Sequence, residues 1–492
     1  MPPVLLSSLP GVALRPDSAT PMYRQLYDAV RHAVLAGTLA ADTRLPPTRD
    51  LSRELGVSRN TVMLAFEQLV AEGYLVGRVG AGTFVSADLP ETALHASPAG
   101  LRRAVHGRNR GIAKRGASIA AARVTLAPPG PPRAFRIGSP EVGLFPFDAW
   151  SRIIARIWRS PSSEMLTYGD PAGYLPLRRA IAAHAGATRA VRCEPDQVIV
   201  VSGSQQALDL VARLLVDAGD RVWIEDPGYL GARAALSAAD AELVPVPIDA
   251  EGIDVAAGIE RCSDARLAYV TPSRQFPLGV TMSLARRLAL LEWASRSGAW
   301  VLEDDYDSEY RYAGRPLAAL QGLDSDGRVI YFGTFSKVML PSLRLGYLIV
   351  PPDLVDAFIR ARAVSDRGSP TVEQAAMAEF IESGAFSRHI RRMRTLYAAR
   401  QAVLVEASAR ELRGALDVRP AEAGMHLAAP LVSGLPDVKA SRLCDAAGIE
   451  AAPASRYAIE ARLAPALLLG YAAYDEGTIN DSVRRMAKAL GR

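Results

Sequence analysis

Between Gly333 and Tyr347 the chain reads Gly-Thr-Phe-Ser-Lys-Val-Met-Leu-Pro-Ser-Leu-Arg-Leu-Gly-Tyr, so Lys337 follows an apolar, strand-like run with hydroxyls before it and Arg344 beyond it. A lysine amine in such a place can hold an aldehyde as an imine, while hydroxyls and a fixed cation can hold a phosphate. Asp304 comes just after the apolar run Trp300-Val301-Leu302, where a strand of an α/β sheet would end, and Tyr306 follows two positions later. A carboxylate there keeps a pyridine nitrogen protonated, and a phenol can pair with a ring oxygen. Together these residues answer the demands of pyridoxal 5'-phosphate.

Three other segments offer partners for the same group. Ser202-Gly203-Ser204-Gln205-Gln206 joins a strand-like run to a helical one, and backbone amides at a helix start receive phosphate; the segment reads equally as an ordinary cap. Tyr229, in Glu-Asp-Pro-Gly-Tyr, follows the next strand-like run, where its ring either lies on a cofactor's face or packs a turn. Tyr168, in Thr-Tyr-Gly-Asp-Pro-Ala-Gly-Tyr, is as open on local grounds. Their occurrence together and in this order, not any one of them, is the specific signal.

The elements that must position them follow from periodicity. From residue 136 onward, expected strands at 197–201, 221–225, 266–270, 299–302 and 329–332 are separated by helical stretches such as 205–216 and 284–297. This alternation predicts a mainly parallel sheet covered by helices. After Pro351 the pattern turns to long helices and a mixed segment. The expected division is therefore a large α/β domain over 136–350 and a smaller α+β subdomain over 351–492.

Residues 15–86 read as a separate unit. Tyr23, Leu26, Tyr27, Val30 and Val34 form a helical stripe ended by Gly37, and a short helix over 48–55 stops at Gly56. Ser58 then caps a third helix in which Val62, Phe66, Leu69 and Val70 are expected to face inward. Segments 73–77 and 82–85 predict two short strands around a Gly-rich tip. Helix, helix-turn-helix and wing in this order suit DNA. Arg49, Ser58, Arg59, Asn60 and Thr61 are the polar or forked donors that reach base edges and phosphates from the start of a recognition helix. Plain three-helix packing shows the same pattern, and residues 1–86, with eight Arg against seven Asp or Glu, are nearly neutral.

The chain's 492 residues suggest about three units of ordinary size. No apolar stretch reaches membrane-spanning length, and the opening Met-Pro-Pro-Val-Leu-Leu lacks a secretory leader's pattern. Cys193, Cys262 and Cys444 are scattered without metal-ligand or redox spacing, which points to the cytoplasm and to no metal. The net charge of +5 is concentrated: nine Lys and Arg and no acidic residue lie between Thr92 and Pro140, leaving the rest mildly acidic. Residues 87–135, with Pro-Pro-Gly-Pro-Pro at 128–132, predict a basic tether. It either tracks a phosphate backbone or stays solvated and extended.

Two resemblances sharpen these readings. Leu-Pro-Pro-Thr-Arg-Asp-Leu-Ser, Gly-Val-Ser-Arg-Asn-Thr-Val and the wing Gly-Arg-Val-Gly-Ala-Gly-Thr-Phe-Val resemble the winged helix of GntR-type bacterial regulators. That resemblance implies DNA contacts at Arg49, Arg59, Asn60 and Thr61, with wing support near Arg78 and Gly80. The set Tyr168, Ser202 to Gln205, Tyr229, Asp304, Tyr306, Thr334, Lys337 and Arg344 resembles fold-type I aminotransferases over roughly 136–492. It implies a Lys337 imine, Asp304 on the pyridinium and Tyr306 on the ring hydroxyl. It also implies phosphate binding by Ser204, Gln205, Thr334 and Arg344, stacking by Tyr229, and a phosphate contact from Tyr168 of a neighbouring subunit in a homodimer. Transaminases usually carry Asn-Pro near the ring hydroxyl, whereas this chain has Phe276-Pro277 in Thr-Pro-Ser-Arg-Gln-Phe-Pro-Leu-Gly. A similar stretch, with His where Arg274 stands, occurs in the MocR/GabR group of pyridoxal phosphate-dependent regulators, and this resemblance spans the whole chain.

Two functions follow as expectations. One is a transcription regulator that binds promoter DNA and senses an amino compound or a vitamer through its aminotransferase-like domain. Arg456, in Pro-Ala-Ser-Arg-Tyr, is the candidate grip for a ligand carboxylate, with Arg233 as its rival. The other is a working aminotransferase with an accessory N-terminal domain, which the absent asparagine disfavours.

Overall fold

The computed structural model describes residues 14–89, 111–121, 132–314 and 317–491. The chain divides between Gly111 and Ile112 into two compact units.

In the N-terminal unit, α1 (Met22–Leu35), α2 (Thr48–Leu55) and α3 (Arg59–Ala71) precede the antiparallel pair β1 (Leu75–Arg78) and β2 (Gly82–Val85). Helix α2 ends because Gly56 takes a left-handed conformation (φ 67°) that a side chain would disfavour. The Ser58 hydroxyl accepts the Thr61 amide at 3.1 Å and so starts α3 at the expected place. Leu26, Val30, Leu51, Val62 and Leu69 close the core with no solvent exposure. Tyr23 and Val70 were expected inside but are 36% and 42% exposed. Each lies next to a better-placed neighbour, Leu26–Tyr27 and Leu69, and the roughly 100° between successive helical residues turns it outward.

The C-terminal unit is built on eight strands: β3 (Val198–Val201), β4 (Arg221–Asp226), β5 (Glu242–Asp249), β6 (Gly252–Ile253), β7 (Leu267–Val270), β8 (Trp300–Asp305), β9 (Val329–Thr334) and β10 (Gly346–Ile349). Their order is β3-β10-β9-β8-β7-β4-β5-β6. Strands β5, β4, β7, β8 and β9 run parallel, while β10 is antiparallel to both neighbours and β6 folds back on β5. The sheet is therefore mixed, with the expected parallel centre. Strands β3, β7, β8, β9 and β10 are buried along their whole length, as expected for a sheet covered on both faces.

Beyond β10 come helices Val355–Ser365, Thr371–Glu382 and the 27-residue Ala385–Glu411. A three-stranded antiparallel sheet follows, from β11 (His426–Pro430), β12 (Ala452–Pro453) and β13 (Ala466–Gly470). No described helix is long and apolar enough to cross a membrane.

Most of the expected basic tether, 90–110 and 122–131, lies outside the described residues. Its described end is docked on the small subdomain. Arg133 pairs with Asp445 at 2.5 Å, Arg136 pairs with Glu450 at 2.7 Å, and the fully buried Phe135 bridges Gly470.

Removing a fully enclosed side chain from α3 should open the N-terminal unit alone. Leu69→Ala is expected to cost it about 2–5 kcal/mol. Calorimetry of the full chain should show one transition moved down and the other unchanged; an unaltered thermogram would contradict this account of the core.

Candidate functional site

The parallel strands β4, β7, β8 and β9 end together, and their ends form one wall of a cavity of about 230 Å³. Seven of the residues singled out from the sequence line it: Ser204, Gln205, Tyr229, Asp304, Tyr306, Thr334 and Lys337. Ile137 and Gly138 close one side, and Met425, His426 and Tyr457 of the small subdomain another.

Asp304 is the electrostatic centre. Along β8 the side chains alternate, so Glu303 and Asp305 turn to the opposite face, where Glu303 accepts the amides of Leu320 and Gln321 and Asp305 pairs with Arg189 at 2.8 Å. On the cavity face, Tyr269 donates its hydroxyl to Asp304 Oδ2 at 2.7 Å, while the buried Oδ1 has no hydrogen-bond partner. Burial pushes this carboxyl up to about 8; the Tyr269 hydrogen bond opposes the rise, and Asp305, Glu225 and Asp307 add to it. A protonated ring nitrogen would satisfy Oδ1 and restore the ionised form.

Lys337 emerges three residues after β9 and donates to the Gly138 carbonyl at 2.8 Å. Burial lowers the basicity of its amine, against the attraction of Asp307 and Asp304. A less basic amine is the nucleophilic form that condenses with an aldehyde.

Backbone shapes the approach to the helix that carries Ser204 and Gln205. Gly203 (φ 102°) precedes helix Ser204–Leu215, whose first amides have no partner within the helix. A Cβ on Gly203 would lie 3.3 Å from the Arg344 guanidinium, so glycine is what lets that cation approach the helix start. Arg344 is exposed and holds a left-handed turn (φ 49°) just before β10, outside the cavity lining proper. Thr334 sits at the end of β9, and Ser336 has a buried hydroxyl with no partner. The sequence reading does not single out Ser336, although it stands beside Lys337.

Tyr229 lies against Gly231, where a Cβ would meet its ring at 2.5 Å. Phe276, standing where transaminases usually carry asparagine, is an aromatic hub. It meets Tyr229, Tyr306, His426 and Tyr457 edge-on, with ring centroids 5.2–6.0 Å apart. The Asp226 carboxylate accepts the amides of Ile459, Glu460 and Ala461 at 2.6–2.7 Å and so fixes the segment that carries Tyr457.

Two candidates lie elsewhere. Arg456 is exposed on the turn Ala454–Tyr457, and it is Tyr457 that faces the cavity. Tyr168 is 86% exposed, outside this chain's cavity, with the Arg367 guanidinium over its ring. The rival Arg233 lies on helix Leu230–Ala238 and donates to the Ala458 carbonyl at 3.4 Å. Asp307, His426 and Tyr269 were not anticipated, because each reaches the cavity from a setting with no local motif.

In the N-terminal unit, Ser58, Arg59 and Asn60 are exposed around the start of α3, and Arg49 is exposed on α2. Thr61 is half-buried and its hydroxyl lies 2.8 Å from that of Ser58, so these two shape the turn while Arg59 and Asn60 project from it. In the wing, Arg78 pairs with Asp42 at 2.5 Å and covers the Phe84 ring, and Gly80 takes φ 74°.

Residues 22–85 match the bacterial regulatory proteins of the gntR family, and residues 141–452 match aminotransferase class I and II. The chain is 43% identical to the probable rhizopine catabolism regulatory protein MocR of Rhizobium meliloti, over 96% of this chain and 94% of that protein. It is 32% identical to the pyridoxine biosynthesis transcriptional regulator PdxR of Corynebacterium glutamicum, over 99% of each. Among solved structures, LysN, the α-aminoadipate aminotransferase of Thermus thermophilus complexed with N-(5'-phosphopyridoxyl)-L-leucine, is 30% identical with a TM-score of 0.67, covering 73% of this chain and 91% of that one. The kynurenine aminotransferase of Pyrococcus horikoshii, in complex with PMP, is 29% identical with the same TM-score, over 73% and 90%. A gntR-type helix-turn-helix unit followed by an aminotransferase-like domain, matched from end to end by such regulators, places this chain in the MocR family of transcriptional regulators.

Proposed function

We propose that the C-terminal unit binds pyridoxal 5'-phosphate at Lys337 and reads an amino compound or a vitamer, and that a homodimer conveys that state to promoter DNA through its winged helices. The observation that carries this reading is the buried, unpartnered Oδ1 of Asp304 in the cavity that Lys337 also lines. A carboxylate left so costs stability unless a cationic donor meets it. Ser204, Gln205, Thr334 and Arg344 would hold the phosphate, Tyr229 would cover the ring, and Tyr306 would donate to the ring oxygen. When bound, the vitamer supplies an aldehyde that captures amines.

The names of the relatives support two effector classes. One is named a probable rhizopine catabolism regulatory protein and the other a pyridoxine biosynthesis transcriptional regulator. Phe276 brings no polar atom to the cofactor's side of the cavity, which favours sensing over fast turnover. Tyr168, exposed in the single chain, fits a role at a neighbouring subunit's phosphate. Arg59 and Asn60 would read base edges, with Arg49 on the backbone.

Two variants separate the units. Lys337→Ala is expected to abolish the visible band of protein incubated with pyridoxal phosphate; a borohydride-reducible band surviving in the variant would assign the linkage to another lysine. Arg59→Ala is expected to cost about 1–3 kcal/mol of specific binding to DNA fragments selected by the wild-type protein, with cofactor content unchanged. Equal binding by both proteins at matched salt would remove Arg59 from the interface.

A further inference from the structure

Arg274 is 3% exposed and lies behind the cavity wall. Its guanidinium is held by backbone on one edge: Nε donates to the Ala423 carbonyl at 3.1 Å and Nη2 to the His426 carbonyl at 2.5 Å. Two glycines leave it room. A Cβ on Gly424 (φ 98°) would lie 2.1 Å from Nε, and one on Gly279 (φ 82°) would lie 3.2 Å from Nη2.

The remaining nitrogen, Nη1, serves only groups that line the cavity. It approaches His426 Nδ1 at 3.2 Å, the Tyr306 hydroxyl at 3.4 Å and Asp307 Oδ2 at 3.4 Å. Because a guanidinium only donates, His426 Nδ1 accepts, and its Nε2 proton goes to the Pro277 carbonyl at 3.0 Å. The imidazole is thereby kept neutral; burial and the Arg274 charge both disfavour its protonation. Tyr306, accepting a hydrogen bond from Arg274, keeps its own proton to donate into the cavity. Asp307 lies within the field of both Arg274 and Lys337 and partly balances the added cation.

We infer that Arg274 is a positioning residue for the cofactor, acting through Tyr306: it orients the phenol as a donor to the ring oxygen. The inference rests on the pyridoxal phosphate reading above. Around Lys337, Asp304 and Asp307 favour that proton, while burial opposes it. A phenol held as a donor to the ring oxygen tips this balance away from the proton, and Arg274 acts on that phenol without touching the amine.

The sign follows directly. Without the oriented phenol, the nitrogen keeps its proton to higher pH. In full-length protein loaded with pyridoxal phosphate, Arg274→Gln should raise the midpoint of the pH-dependent visible absorbance by about one unit, a tenfold gain in proton affinity. The dissociation constant for the vitamer, read by fluorescence quenching, should weaken in the same variant. Tyr306→Phe should raise the midpoint as well, and adding Arg274→Gln to it should raise it little further, because both act on one contact. If the glutamine variant does not fold, Arg274→His, a smaller donor kept neutral by burial, carries the same expectation. A loaded Arg274 variant that titrates with the wild type, or shifts that simply add, would overturn the inference. A wild-type protein that develops no visible band would instead overturn the cofactor reading itself.

Discussion

One buried carboxylate sets the terms for the C-terminal unit. Asp304 is 5% exposed, shares its face of the sheet with a single phenol donor, and keeps one oxygen without a partner. In a low-dielectric setting an uncompensated carboxylate costs several kcal/mol or takes up a proton, and the rise of its pKa to about 8 expresses that cost. Asp304 stands on β8, at the centre of a sheet buried on both faces, with the cavity on its own side. Stability is thus sacrificed locally for a carboxyl that a cationic donor can ionise, a pattern that marks functional sites.

The remaining contacts follow from where the parallel strands end. Strand β9 lies beside β8 with Asp304 in register with Phe332, so the turn after Thr334 delivers Lys337 to the same mouth. Strand β10, inserted antiparallel between β9 and β3, brings Arg344 next to Gly203. That insertion lets one cation reach a helix start that opens from a different strand.

Much of this was legible in the sequence, and the failures are instructive. Helices 48–55 and 284–297 agree with the structure at both ends because a glycine stops each. Strand β5 went unread since Pro245 and Pro247 break the expected alternation; it lies towards the sheet edge, where a missing amide is tolerated. Strand β10 was hidden behind the lysine motif and is only four residues long. Within the cavity, residues near glycine turns or the lysine motif stood out. Asp307 and His426 did not, for His426 meets Asp307's neighbour Arg274 only through packing between segments far apart in the chain. At 454–457 the turn exposes Arg456 and points the neighbouring Tyr457 inward, an alternation that residue type alone does not predict.

How a ligand could change the DNA-binding state is constrained by the same contacts. Two sites are coupled only through an element with distinct arrangements that the ligand binds unequally. The strand ends are fixed within a buried sheet, whereas Met425, His426 and Tyr457 reach the cavity from the small subdomain. Polar links tie that side to the large domain, among them three amides on Asp226, the Gly228 amide on the Tyr457 carbonyl, the Arg274 guanidinium on two carbonyls, the His426 ring on the Pro277 carbonyl and the Arg261–Glu460 ion pair. Charge-assisted bonds contribute about 1.5–3 kcal/mol each. Inverting a population from 1:99 to 99:1 takes about 5.5 kcal/mol. Making or breaking about two to four such charge-assisted links is therefore of the right size to switch the proposed sensor.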